Sequence, residues 1–427
     1  MRLSLRLQRI RYNTVITGVI IGQMLVTGTA AAFIVAPVTA PTRGPAGTTP
    51  STSFSPPFSP TSSPVASAQP AAVSSSAKAK GVTGSAGGGI AGGAGLNGAF
   101  GIAGGSSLSA LSTAELNKRL DGMRALGVGW VRFDVEWSNI GSRGPGLYDW
   151  TDYDRVAQAV VSRGLKPLGI IDYTPPWARQ AACSDQPACA PADPAAYARF
   201  AGDAAAHYGP MGVHAWEIWN EPNIDVYYKP APNVAFYTHM LTAAYPAIKA
   251  ADRNALVITG GTAPTSSNGT DVGAVNFVAG IYDAGGRGAF DAVAHHPYTF
   301  PYTSTNAYPG GAWSDLMAIH SLMVSRGDGA KKVWATEYGA PTGGPGTMVS
   351  SGNGPYPGSI YVSELLQATI ATQAVASYNA YGWAGPLFWY SYQDAGTSRD
   401  TVENFFGLLR ADGSQKPAYG AFANAIR

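Results

Sequence analysis

From Ala99 onward, short apolar runs alternate with amphipathic helical patterns eight times over, and this alternation constrains the fold more than any other feature of the sequence. The pattern predicts strands over Phe100–Ala103, Trp130–Trp137, Pro167–Tyr173, Val213–Trp219, Ala255–Thr259, Phe290–His295, Val333–Glu337 and Pro386–Tyr390. Helical periodicity lies between them, as in Thr113–Leu126, Pro194–Tyr208 and Val234–Ala251, with Tyr361–Tyr381 late in the chain and either Val402–Leu409 or Ala418–Ile426 last. A repeat of roughly 40 residues implies parallel strands joined by crossover helices, and eight repeats fit an α/β fold, a single closed (β/α)8 TIM barrel. A doubly wound open sheet is the alternative. It would need a Gly-rich turn of the dinucleotide type after its first strand, and Gly101-Ile-Ala-Gly-Gly-Ser-Ser107 has the wrong spacing.

The composition before this region is different in kind. Residues 1–95 contain no Asp or Glu and seven basic residues, so the remaining 21 of 28 basic residues face all 26 acidic ones in 96–427, a balance of −5. The folded part is therefore not built to bind nucleic acid. Four Arg in the first twelve residues precede an uncharged apolar run from Thr14 to Val35, which predicts residues 1–40 to be a signal peptide or an N-terminal membrane anchor. Residues 41–95 are dominated by Pro, Ser, Thr, Ala and Gly, too poor in large apolar side chains to offset the entropy of ordering, and read as a disordered linker. A secreted or cell-envelope protein is expected, either released or still membrane-attached. In such a compartment Cys183 and Cys189 are expected to close a small loop as a disulfide, two free thiols being the alternative; no His follows at zinc-ligand spacing.

Function is concentrated at the carboxyl ends of the expected strands, where barrels of this kind carry their chemistry. The segment His214-Ala-Trp-Glu-Ile-Trp-Asn-Glu-Pro-Asn223 ends its strand at Asn220 and Glu221, because Pro222 cannot donate to a sheet. A second carboxylate, Glu337, ends Lys332-Val-Trp-Ala-Thr-Glu337 before Gly and Pro. Two strand-end carboxylates among Trp and Tyr are what flanking a sugar requires. The other ends present Asp134, Glu136 and Trp137; Asp172, Tyr173 and Trp177; His295, His296 and Tyr298; and Trp389, Tyr390 and Tyr392. Carboxylates, His and aromatic rings make a carbohydrate cleft, since ring faces stack on sugar C–H surfaces while polar edges take hydroxyls. Glu217 reads as a buried partner of a basic or hydroxyl group, and His295 as a packed core residue.

Trp219-Asn-Glu-Pro222 on the fourth strand, Thr336-Glu337 on the seventh, Arg132 on the second, His296-Pro-Tyr298 on the sixth and Trp389 on the eighth together resemble retaining glycoside hydrolases with catalytic Glu on strands four and seven. The likeness is to families 5 and 39, which include cellulases, β-xylosidases and exopolysaccharide hydrolases, and it spans Leu96 to Arg427. The resemblance implies that Glu221 is the acid/base and Glu337 the nucleophile. It also implies that Asn220 holds the sugar 2-hydroxyl, Arg132 and Tyr298 bind the nucleophile, His296 lines the site, and Trp389 forms the floor under the attacked sugar. Trp137 and Tyr173 are further substrate-binding candidates. No metal or organic cofactor is expected, and the partner is a β-linked polysaccharide or oligosaccharide bound by a monomer. Glucan, xylan, mannan, exopolysaccharide and galactofuranan stay open. So does transglycosylation on the same scaffold, and a non-catalytic carbohydrate-binding protein of the cell surface is the alternative of another class.

Overall fold

The computed structural model describes residues 99–427 except 106, 307–310 and 353–357. The export segment and linker expected over 1–95 lie outside the described residues. No helix among the described residues is long and apolar enough to cross a membrane.

Eight parallel strands close a barrel: β1 (Phe100–Ala103), β2 (Trp130–Glu136), β3 (Lys166–Asp172), β4 (Ala215–Asn220), β5 (Leu256–Gly261), β6 (Ala292–His295), β7 (Lys332–Tyr338) and β8 (Ala384–Trp389). Each strand pairs with its sequence neighbours, and β1 pairs with β8 through Phe100 and Leu387. Eight main helices surround it: α1 (Thr113–Leu126), α2 (Thr151–Val161), α3 (Pro194–Tyr208), α4 (Val234–Ala251), α5 (Ala274–Asp283), α6 (Ala312–Ser325), α7 (Glu364–Asn379) and α8 (Pro417–Ala425). Their ends follow local chemistry. Ser112 caps α1 through Glu115 N–H and Gly127, at φ 102°, ends it in the left-handed conformation that a residue without Cβ adopts at little cost. Asp193 caps α3, whose first residue is Pro194, and Ser363 caps α7.

One late expectation changes, and of the two candidates for the last helix the second forms it. Tyr361 belongs to a short strand, Ile360–Val362, paired in parallel with Thr347–Val349, and α7 begins only after the Ser363 cap. The last helix is α8, while Val402–Phe405 makes a single 3-10 turn in the loop after β8. Cys183 and Cys189 are disulfide-bonded within the loop after β3.

The core has two shells, as strand alternation requires. Inside the barrel lie Ala103, Leu168, Ala215, Ile258, Ala292, Ala294, Trp334 and Phe388, with Trp130 packed edge-on to Trp334 at a centroid distance of 5.3 Å. Outward residues meet the helices. Trp389 points this way, onto Phe422 of α8 at 5.8 Å, and Phe422 also meets Phe100 of β1 at 6.2 Å. Phe422 is fully buried and joins the last helix to the seam where the barrel closes. Phe422→Ala is expected to destabilise the protein by about 3–5 kcal/mol, read from denaturant or thermal unfolding. A loss under ~1 kcal/mol would show that α8 does not hold the seam.

Candidate active site

Above the apolar layer, inward positions become polar. Arg132, two residues along β2 from Trp130, is almost completely buried, and so is Glu217 of β4. Arg132 Nε donates to Glu217 Oε2 at 2.6 Å and Nη2 to Oε1 at 3.3 Å. The same Nη2 donates to Asn220 Oδ1 at 2.9 Å, and Nη1 donates to Glu337 Oε1 at 2.6 Å. Burial works against the charge on Arg132, but Glu217 and Glu337 outweigh it and hold its proton more tightly than water would. Glu217 Oε1 also accepts from Gly261 N–H at 2.8 Å and from the Thr336 hydroxyl at 3.1 Å. Glu217 is thus the buried partner of a basic group and a hydroxyl, tying β2, β4, β5 and β7 together.

Glu221 follows β4 in a strained reversal. Trp219 and Glu221 adopt φ 74° and 44°, which side chains with a Cβ rarely adopt. Gly260 of β5 makes room, since a Cβ there would lie 2.6 Å from Trp219 O and 3.0 Å from Pro222 Cδ. At Gly261 a Cβ would lie 2.2 Å from His296 Nε2, so this glycine admits the imidazole. His296 Nδ1 stands 2.9 Å from Glu221 Oε1 and 3.8 Å from Glu337 Oε2, so those two carboxylate oxygens are no farther apart than the sum, about 6.7 Å.

The hydrogen-bond directions locate a proton. The Thr336 hydroxyl donates to Glu217, so it accepts from His296 Nε2, 3.1 Å away. Nδ1 is left facing Glu221 Oε1, so a single hydrogen is shared between that nitrogen and the carboxyl. Glu221 Oε2 is buried without a partner, and Glu221 as a whole is 4% exposed. Burial, and after it the charges of Glu337 and Glu403, push the Glu221 carboxyl up against the pull of His296.

Glu337 has both oxygens held: Oε1 by Arg132, and Oε2 by the Tyr298 hydroxyl at 2.8 Å. Burial pushes its carboxyl up as well. Arg132 and Tyr298 pull it back toward the ionised form, whereas at Glu221 the counterweight is His296 alone.

Of the remaining candidates, Tyr173 (φ 54°) packs edge-on to Trp219 at 6.0 Å beside Ile224 and Tyr227, on the Glu221 side. Trp137 and Trp389 are corrections. Trp137 follows Glu136 on the opposite face and lies buried in the helical layer, stacked on Phe200 of α3 at 5.5 Å. Trp389 is 0% exposed, its Nε1 donating to Phe406 O at 3.3 Å. The next residue faces inward instead: Tyr390 packs against the barrel-interior cluster and donates its hydroxyl to Glu403 Oε2 at 3.2 Å. His295 is a core residue between Thr262 and Ala312 O, kept neutral by burial with its pKa lowered to about 4.

Glu403, in the 3-10 turn after β8, had no signal in the sequence. It is 9% exposed, and burial, then the charge of Glu337, raises its pKa to about 8. Its turn is clamped by the buried Lys416, whose Nζ donates to Asp394 Oδ1 at 2.7 Å, Thr342 Oγ1 at 2.8 Å and Phe405 O at 3.0 Å.

The family model described as cellulase, glycosyl hydrolase family 5, matches residues 97–343, a stretch that includes both Glu221 and Glu337. A family 39 glycoside hydrolase from the gut symbiont Bacteroides cellulosilyticus WH2 is 23% identical with a TM-score of 0.59, the match covering 78% of this chain and 63% of that one, so this chain spans less than two thirds of its length. A monomeric beta-xylosidase from Caulobacter crescentus CB15 is 18% identical with a TM-score of 0.55, covering 76% of this chain and 67% of that one. GH5_18 from Streptomyces cattleya in complex with GlcNAc is 16% identical with a TM-score of 0.58, covering 78% and 80%. At these identities the likeness is one of fold. No curated protein matches the chain.

Two outcomes follow from the geometry. Trp389→Phe is expected to lower the melting temperature while leaving KM for a glycoside within about twofold, because the ring fills a helix-facing gap; a KM rise of tenfold or more would return it to the cleft. The raised pKa of Glu403 means that its contribution to stability is present below the ordinary carboxyl range, about 4.5, and is lost as pH rises through about 8. Glu403→Gln is therefore expected to gain melting temperature relative to the wild type between pH 5 and 9, and a pH-independent difference would contradict the shift.

Proposed function

The chain belongs to the cellulase family, glycosyl hydrolase family 5, and on that footing we propose that it cleaves a β-linked polysaccharide or oligosaccharide by double displacement, with Glu337 as nucleophile and Glu221 as acid/base. The observation that carries this reading is the unequal treatment of two neighbouring carboxyls. Glu337 has an oxygen on Arg132 and an oxygen on Tyr298, which favours the carboxylate. Glu221 is buried and leaves Oε2 without a partner, which favours the acid.

In the first step a Glu337 oxygen attacks the anomeric carbon as its bond to the leaving oxygen breaks. The proton on Glu221 passes to that oxygen, and Glu337 becomes an ester of the sugar. In the second step Glu221 takes a proton from water, the water oxygen bonds to the anomeric carbon, and the ester bond to Glu337 breaks. His296 positions Glu221 and relays the orientation set by Thr336 and Glu217. Arg132 accepts the charge that returns to Glu337 as the ester opens, while Tyr298 donates to the other oxygen. Asn220, whose Oδ1 is engaged by Arg132, turns its amide nitrogen to a substrate hydroxyl, and Tyr173 lines the acid/base side. The protein acts outside the cytoplasm, released or attached through residues 1–40; the acid-free basic segment and apolar run at its start support this.

Glu337→Gln is expected to abolish turnover of aryl glycosides without unfolding the protein. Glu221→Ala should slow substrates with poor leaving groups by about 10²–10⁴-fold, and added azide should restore the rate on an activated substrate, since that anion needs no base to attack the ester. Azide rescue of Glu337→Gln with unchanged stereochemistry, or undiminished turnover in either variant, would reverse or remove these roles.

A further inference from the structure

The proposed reaction uses Glu217, Glu221, Glu337 and Arg132, yet β2 and β3 bring three more carboxyls to the same mouth that it leaves idle. Asp134 and Glu136 follow Arg132 on its own face of β2, and Asp172 follows the barrel-interior Leu168 on the same face of β3. The strand register sets Arg132 against Leu168, Asp134 against Ile170 and Glu136 against Asp172, so the three acids converge at adjacent carboxyl ends.

Asp172 is the telling member. It is 1% exposed, and neither carboxyl oxygen has a hydrogen-bond partner; the Thr174 hydroxyl two residues on is equally orphaned. Buried polar groups are almost always satisfied, and a carboxyl left with two empty oxygens points to a group that arrives from outside. Glu136 accepts from Asn139 Nδ2 and is oriented by it. Arg132, the cation nearest to these acids, has its nitrogens committed to Glu217, Asn220 and Glu337.

Resting on the glycosidase reading above, we propose that Asp134, Glu136 and Asp172 form a subsite for a sugar unit bearing a protonated amine, so that the cleft takes glycans containing de-N-acetylated hexosamine. A protonated amine donates three hydrogen bonds and carries the charge that three crowded carboxyls lack. Burial, with the charges of Glu337 and Glu217, raises Asp134 to about 7, and burial, with the charges of Asp134 and Glu136, raises Asp172 well above the ordinary carboxyl range. A cation releases their protons and is bound by the resulting carboxylates; a sugar hydroxyl brings no such charge, and a uronate is repelled. Among the described residues no group of three or more His, Cys, Asp or Glu side chains is arranged around one cation, so the amine is held by Asp172 first, with Asp134 and Glu136 adding charge beside it.

The test is calorimetric titration of the full-length Glu337→Gln protein with three β-linked tetrasaccharides: of glucosamine, of N-acetylglucosamine and of glucose. The glucosamine oligomer is expected to bind at least about tenfold more tightly than either other, and Asp172→Asn added to Glu337→Gln is expected to erase that margin. Equal binding of the three, absence of binding by the glucosamine oligomer, or a margin that survives Asp172→Asn overturns the proposal. If Asp172→Asn does not fold, Asp134→Asn takes its place with the same reading. Wild-type hydrolysis of aryl glycosides, assayed in parallel, separates the two levels: turnover without an amine preference overturns this inference alone, whereas no turnover of any glycoside strikes the reading beneath it.

Discussion

Arg132 lies where β2, β4 and β7 come together, and the guanidinium binds Glu217, Asn220 and Glu337 at once. Carboxylates buried this deeply are costly unless a cation and donors satisfy them. The planar fork of Arg satisfies Glu217 with two nitrogens and still reaches the other two partners, which a single ammonium could not do in fixed geometry. Held by Arg132, Glu217 orders the rest: it accepts from the Thr336 hydroxyl, Thr336 accepts from His296 Nε2, and His296 turns its other nitrogen to Glu221. The different surroundings of the two central carboxyls thus descend from one ion pair. Glu337 touches Arg132 directly, while Glu221 meets only the far end of the chain of bonds.

The framework around this network is paid for elsewhere in the fold. Strained backbone at Trp219 and Glu221 is tolerated because Gly260 leaves space beside it, and His296 approaches because Gly261 has no side chain. Below, the Trp130, Trp334 and Phe388 rings fill the barrel and keep water from reaching Arg132 from beneath. At the rim, Lys416 fastens the loop after β8 to the loop after β7, so Glu403 and Tyr390 stand at fixed positions beside Glu337.

Much of this was legible in the sequence because it depends on short-range pattern. Eight apolar runs gave eight strands, and Pro222 and the Gly-Ala-Pro that follows Tyr338 marked where two of them end. What failed depended on facing. Trp137 and Trp389 stand one residue beyond or before an inward position, and a one-residue difference moves a ring from the cleft to the helical layer. Tyr390, one residue on, is the ring that faces inward. Glu403 escaped notice for another reason: it sits in a loop turn without periodicity, and only the folding of that loop over Glu337 gives its carboxyl a role. Asp172 was visible as a strand-end acid, but that both its oxygens lack partners is a property of three dimensions.

The central claim is that two neighbouring carboxyls work in sequence on one sugar, and stereochemistry reports on it directly. Proton NMR during the first minutes of hydrolysis of a β-glycoside distinguishes the anomer released from the one formed later by mutarotation. The account requires the β-anomer to appear first, the product of two displacements through Glu337. First release of the α-anomer would mean a single displacement by water and would contradict it.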